Sequence, residues 1–180
     1  MSLHEIVLPE TKPETEWVRG RAKQKVSPTY AHARVQSRFA AVLDAYAGNR
    51  GRVGTEWRFR IAPPGELRRP LVPDVSYVSM ERLRSVPREE IEIPAFAPDV
   101  AVEVLSPGDD PRDVADKIDV YLRAGVRLVI EIDPRNRHVR LYDGTATTEI
   151  GEAGTLRHPV LPGFELMLGP FFSEALDLPS

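Results

Sequence analysis

Residues 98–125, PDVAVEVLSPGDDPRDVADKIDVYLRAG, leave little choice of local structure. From Asp99 to Leu105 both faces are apolar except at Asp99 and Glu103, the pattern of a central strand covered on both sides. Ser106-Pro107-Gly108 then turns the chain. Asp110 suits an N-cap, Pro111 the first helical position and Asp113 the first turn. Val114, Ile118, Tyr121 and Leu122 form one apolar stripe, and Gly125 ends the helix. Arg127–Asp133 is again mostly apolar and predicts a further strand.

The rest of the chain extends this pattern. Residues 1–15, with Pro9 and Pro13, read as a loose arm. Glu16–Val26 alternates around Gly20 and predicts a short hairpin. Ser27-Pro28-Thr29 starts a helix over 30–47, with His32, Val35, Phe39, Val42, Leu43 and Tyr46 at helical spacing. Strands are expected near 53–61, 71–78, 98–105 and 126–132 in one sheet, with the helices at 30–47 and 111–124 packed on it. Met80–Pro94 is charged and proline-flanked, so it reads as a surface excursion. Asp133–Asn136 turns into a hairpin with His138–Tyr142. The expected fold is α/β (α+β), one domain over residues 1–180.

Composition narrows the function classes. The chain has no cysteine, which removes disulfide frameworks and thiolate metal sites. No apolar run approaches the ~18 residues of a membrane span, and no signal-peptide pattern opens the chain. A cytoplasmic protein without a membrane partner is expected. The net charge of −3 argues against nonspecific coating of nucleic acid, which rests on many cation–phosphate contacts. It leaves room for one local basic face.

Glu103 carries the chemistry. A carboxylate in a central strand costs several kcal/mol unless it is paired or holds a metal. Lys117, the only lysine after Lys25, borders the buried stripe of the following helix. Asp74, after Pro73, offers a second acid on an earlier strand. Two acids and a lysine on one scaffold can hold a divalent metal beside a scissile phosphate, with the Val104 carbonyl as a third ligand. Simpler readings stand beside it. Glu103 and Lys117 could form a buried salt bridge, Lys117 could pair with Asp113 at i, i+4, and Asp74 could merely shape its strand. Asp99, about 13 Å from Glu103 along a strand, is too far to share an ion. Arg58, Arg60, Arg68 and Arg69 could touch nucleic-acid phosphates or form a solvated face. His32 heads a buried stripe and reads as a packed histidine. His4, His138 and His158 lack metal-ligand spacing, and there is no nucleophile elbow, P-loop or GxGxxG.

EWVRGRAKQKVSPTYAHARVQ, Pro73-Asp74-Val75, PDVAVEVLSP, DVADKIDVYLRAGV followed by IDP, and LPGF occur in an order that resembles the Uma-two family of restriction-endonuclease-like proteins, part of the PD-(D/E)XK nuclease superfamily. The resemblance implies a mixed sheet flanked by helices, with Asp74 and Glu103 holding Mg²⁺ or Mn²⁺. The superfamily's usual lysine two residues after the second acid is Leu105 here; the family's replacement on the next helix is Lys117. The acid that many superfamily members carry on an early helix has no clear equivalent, since His32 or Gln36 occupies that region. Glu131, before IDP, is an unusual acid at its position.

The leading expectation is a metal-dependent DNA endonuclease, acting as a homodimer if it cuts both strands. Lys117 would orient or activate the attacking water, or stabilise charge on the phosphate. The alternative from a different class is an inactive nuclease-fold scaffold that binds nucleic acid or a protein. A small-molecule hydrolase has no nucleophile or oxyanion pattern to support it.

Overall fold

In a computed structural model that describes residues 5–180, the chain begins with a hairpin of β1 (Thr15–Val18) and β2 (Arg21–Gln24). Then come α1 (Tyr30–Ala47), β3 (Gly51–Thr55), β4 (Phe59–Ile61), β5 (Arg69–Leu71) and β6 (Val75–Ser79). Two short helices follow, α2 (Met80–Arg84) and α3 (Arg88–Ile91), then β7 (Val100–Val104), α4 (Pro111–Arg123) and β8 (Leu128–Asp133). The chain closes with β9 (His138–Tyr142), β10 (Thr147–Ile150), β11 (Thr155–Leu156), β12 (Leu166–Met167) and α5 (Leu168–Leu176). His4 and the start of the expected arm lie outside the described residues.

Six strands form the main sheet in the order β10-β9-β8-β7-β6-β3. β7 and β8 run parallel and every other neighbouring pair is antiparallel, so the sheet is mixed. A parallel neighbour needs a crossover connection, and α4 supplies it. Its sequence signals act as read: the Asp110 side chain accepts the Arg112 N–H, and Pro111 opens the helix. Thr29 likewise caps α1, its hydroxyl accepting the His32 N–H.

Period-two alternation divides the core. Val100, Val102 and Val104 of β7 point to one face with Leu128, Ile130 and Ile132 of β8, where Val35, Phe39 and Leu43 of α1 cover them. Phe171 and Phe172 of α5 complete that layer; Phe171 meets Phe39 edge-on at 6.0 Å. Ala101 and Val129 point the other way, against Ile118 and Tyr121 of α4. Each such buried Val, Leu, Ile or Phe side chain stabilises the fold by about 1.5–3 kcal/mol. Glu103 follows the phase of Ala101, and so lies on the α4 face.

Two of the expected strands divide. The 53–61 segment breaks after Thr55, where Glu56 takes a left-handed backbone (φ 52), and Trp57 donates its indole N–H to the Ile91 and Glu92 carbonyls. β4 therefore leaves the main sheet and pairs with β5 in a separate two-stranded ribbon. The 71–78 segment divides at Pro73, which has no N–H to give to a ladder; β5 joins the ribbon and β6 the main sheet. The 80–94 excursion contains α2 and α3. The described part of the arm is tied to the ribbon: the Ile6 N–H donates to the Arg68 carbonyl at 2.7 Å, and Glu5 pairs with Arg60 at 3.2 Å. No described helix is long and apolar enough to cross a membrane.

Gly51 of β3 leaves no room for a side chain beside β6. A Cβ there would lie 2.5 Å from the Val78 carbonyl oxygen and against the Tyr77 ring. Gly51→Ala is expected to cost about 1–3 kcal/mol through overpacking, read as a lower midpoint in urea unfolding. An unchanged midpoint would mean that this strand edge yields freely.

Candidate active site

The register between β6 and β7 pairs Val75 with Val102. Asp74 lies one residue before β6 and donates its N–H to the Val102 carbonyl at 3.0 Å, beside Glu103 in β7. Both acids are buried, Asp74 at 2% exposure and Glu103 at 8%. They line one cavity of about 570 Å³ together with Val104, Lys117, Lys25 and His32.

The donors to the Asp74 carboxylate come from three separate parts of the chain. Lys25, just past β2, reaches Oδ1 at 2.7 Å. The Val104 N–H donates to Oδ2 at 2.7 Å, and His32 Nε2 of α1 lies 3.2 Å from the same oxygen. Burial by itself would push the Asp74 carboxyl upward; the Lys25 ammonium and His32 outweigh it and hold the group well below the usual carboxylate range. Gln36 holds the backbone behind it, donating to the Asp74 carbonyl at 3.0 Å.

Glu103 is held differently. Lys117 donates to it at 2.8 Å and the Tyr121 hydroxyl at 2.8 Å. Lys117 also bridges to Glu16 of β1 at 2.9 Å, and Glu16 accepts the Val72 N–H at 2.7 Å. One ammonium thus serves two buried carboxylates. Burial pushes Glu103 up to about 7, against the pull of Lys117 and with the nearby Asp74 and Glu16 charges adding to it. Burial would also strip the charge from Lys117, but Glu103 and Glu16 overcome it and raise its affinity for the proton.

The structure therefore brings Asp74, Glu103, Val104 and Lys117 together. Val104 reaches Asp74 through its N–H. Arg58, Arg60, Arg68 and Arg69 do not line this cavity. Arg58 pairs with Glu14, Arg60 with Glu5 and Arg69 with Glu66. Asp99 shapes its own strand entrance, accepting the Ser79 N–H at 2.7 Å and pairing with Arg82 at 3.3 Å. Asp113 does not pair with Lys117; its partners are Lys23, Arg21 and Arg19 of the hairpin. Glu131 stands beside Glu103 in the parallel register and pairs with Arg140 at 3.0 Å.

The sequence expectations place none of Glu16, Lys25, Gln36 and Tyr121 in the site, although Tyr121 stands in the expected apolar stripe and Gln36 in the region of the superfamily's helical acid. The alternation of β1 and β2 held a faint signal for the first two. Glu16 and Val18 share a phase, as do Arg21, Lys23 and Lys25, but alternation does not tell a buried charge from a solvated one.

The donor set fits a hard divalent cation. Among the described residues no group of three His, Asp or Glu side chains is arranged to hold a metal. Mg²⁺ needs no such cage: it is bound by one or two carboxylates and completes its shell with waters and substrate phosphate oxygens. Asp74 and Glu103 offer two carboxylates to one cavity, each now held by a lysine.

The sequence profile of the Uma2 family, whose description reads "Putative restriction endonuclease", matches residues 3–169. The chain belongs to the Uma2 family. A crystal structure described as that of a "putative nuclease belonging to DUF820", from Anabaena variabilis, superposes with a TM-score of 0.82 at 27% identity. That match covers 94% of this chain and 95% of the other. A cryo-EM structure of a DrdV–DNA complex aligns with a TM-score of 0.43 at 20% identity, over 80% of this chain and 12% of that one, too remote to bear on this Uma2 protein. No curated protein matches the chain. The mixed sheet with α4 across β7 and β8 is thus a restriction-endonuclease-like fold, shared with the DUF820 structure.

Proposed function

We propose that this Uma2 protein is a divalent-metal-dependent endonuclease that hydrolyses phosphodiester bonds in DNA. Asp74 and Glu103 are the metal ligands in this reading, with the Val104 carbonyl beside them. The observation that carries it is the presence of two buried carboxylates, one just before β6 and one in β7, in a single cavity that also holds Lys117. A bound Mg²⁺ or Mn²⁺ would lower the pKa of a water and offset charge on a phosphate oxygen.

The chain's own residues do the positioning. The Tyr121 hydroxyl and Lys117 fix both oxygens of Glu103. Lys117 is buried on α4 and keeps its ammonium at the acids, where it can donate to a phosphate oxygen or to the attacking water. His32 and the Val104 N–H orient Asp74. Hydrolysis adds water across one P–O ester bond, and a homodimer would bring two such sites to the two strands of a duplex.

A nuclease-fold scaffold that binds nucleic acid or a protein without cutting is the second reading. Its support is the full set of partners on Asp74, with Lys25 standing where a cation would otherwise be needed. One experiment separates the two. The protein should nick supercoiled plasmid in Mg²⁺ or Mn²⁺ but not in a chelator, and Glu103→Gln should abolish nicking. Calorimetry should show Mn²⁺ binding to the wild type and at least about tenfold weaker binding to the variant. Equal Mn²⁺ binding by both proteins would sink the metal site, and an intact wild type without nicking would favour the scaffold.

A further inference from the structure

The inner face of the β1–β2 hairpin is the least explained part of the site. Its register pairs Glu16 with Lys23 and Val18 with Arg21. Side chains two apart along a strand share a face. Arg21, Lys23 and Lys25 therefore point the same way as Glu16 and Val18, and Glu16, Val18, Lys23 and Lys25 all line the cavity.

The three cations form a row of about 7 Å per step, running from the acids to the rim. Lys25 sits on Asp74 with its side chain 14% exposed, Lys23 on Asp113 with 34%, and Arg21 on Asp113 with 50%. Arg19 adds a third cation to Asp113 at 3.2 Å. Other charges face the row: Glu56 lies 3.2 Å from Lys25, and Lys12 and Asp109 line the same cavity. Asp110 pairs with Arg112 at 2.8 Å and lies 3.7 Å from Arg19, and the Asp116 carboxylate accepts the Arg19 backbone N–H. A single buried carboxylate, Asp113, is thus shared by three cations. An arginine has five N–H donors and a lysine three, so Arg21 and Lys23 keep donors that Asp113 does not engage, whereas Lys25 is occupied by Asp74, the Val72 carbonyl and Glu56.

We propose that the outer part of this row, Arg21 and Lys23, holds the sugar-phosphate backbone of the DNA strand whose scissile bond lies over Asp74 and Glu103. Asp113 is the resting partner that keeps the outer cations aligned until phosphates take their free donors. The inference rests on the nuclease reading and adds to it where the strand runs: along the inner face of the hairpin, past the start of α4.

The test is fluorescence anisotropy of a short labelled DNA duplex, titrated at several salt concentrations with Ca²⁺ in place of Mg²⁺ to prevent cleavage. Each phosphate contact contributes about 0.9 to the slope of log Kobs against log salt. Arg21→Gln/Lys23→Gln should lower that slope by about 1.8 and weaken low-salt binding roughly tenfold or more. Arg21→Gln alone should lower the slope by about 0.9; it leaves Lys23 and Arg19 on Asp113, so it decides the matter if the double variant does not fold. Arg137→Gln, whose partners are Glu152 and Asp177, should bind as the wild type does. If the wild type binds duplex and Arg21→Gln keeps the full slope, the backbone track is wrong and the nuclease reading stands. If the folded wild type binds no duplex at all, the nuclease reading fails and the track fails with it.

Discussion

Lys117→Met is expected to destabilise the protein by about 3–5 kcal/mol, the usual cost of removing one partner from a buried ion pair. The lysine is 8% exposed and stands between Glu103 and Glu16, which are 8% and 4% exposed. Methionine keeps most of the stem's packing, so the loss isolates the charge. It leaves two carboxylates buried with no ammonium between them. Lys117→Met/Glu103→Gln should be more stable than Lys117→Met, because one of the stranded charges is gone. Mn²⁺ should raise the melting temperature of Lys117→Met more than that of the wild type, since a bound cation stabilises the state that binds it. Urea unfolding reads the first two results and a thermal melt the third. A Lys117→Met protein within about 1 kcal/mol of wild type would show that water reaches these acids freely, contrary to the burial on which the estimate rests. Cleavage should be lost as well, and Lys117→Arg should restore it poorly because a guanidinium is larger and planar.

The second large effect is expected at Asp74. Asp74→Ala removes the acceptor of the Val104 N–H inside the sheet and the main partner of Lys25, whose remaining contacts are the Val72 carbonyl at 3.0 Å and the exposed Glu56. An orphaned buried donor costs about 1–3 kcal/mol, and a stranded buried ammonium adds to it, for a total of roughly 3 kcal/mol or more. Asp74→Asn keeps an oxygen for the Val104 N–H and should cost less. Both should lose plasmid nicking by about a thousandfold or more, because a metal supplies several kcal/mol of charge stabilisation. Chemical unfolding and nicking rates, measured on the same preparations, check both halves. Equal stability of the Ala and Asn variants would contradict the assigned role of the Val104 hydrogen bond.

Much of the fold was legible locally. The capped helix at 111–124 and the doubly apolar strand at 98–105 were read from their own residues, and the structure has α4 and β7 there. Residues 30–47 form α1 with Val35, Phe39 and Leu43 inward, as their spacing required. The strands at 53–61 and 71–78 were read too long. Alternation persists through Glu56 and Pro73, yet the backbone turns at Glu56 and the ladder lacks a donor at Pro73. The family likeness seen in the order of the motifs agrees with the family match over residues 3–169.

What the sequence determined by itself was therefore the set of elements and the two strand acids that need a partner, because helical and strand periodicity act over a few residues. Which partner each acid takes was decided only by the tertiary structure. Lys117 and Glu16 are 101 positions apart and Lys25 and Asp74 are 49 apart. A charged side chain in an alternating hairpin has the same pattern whether it faces water or a buried carboxylate. The difference is desolvation, and that exists only once the hairpin closes over the sheet.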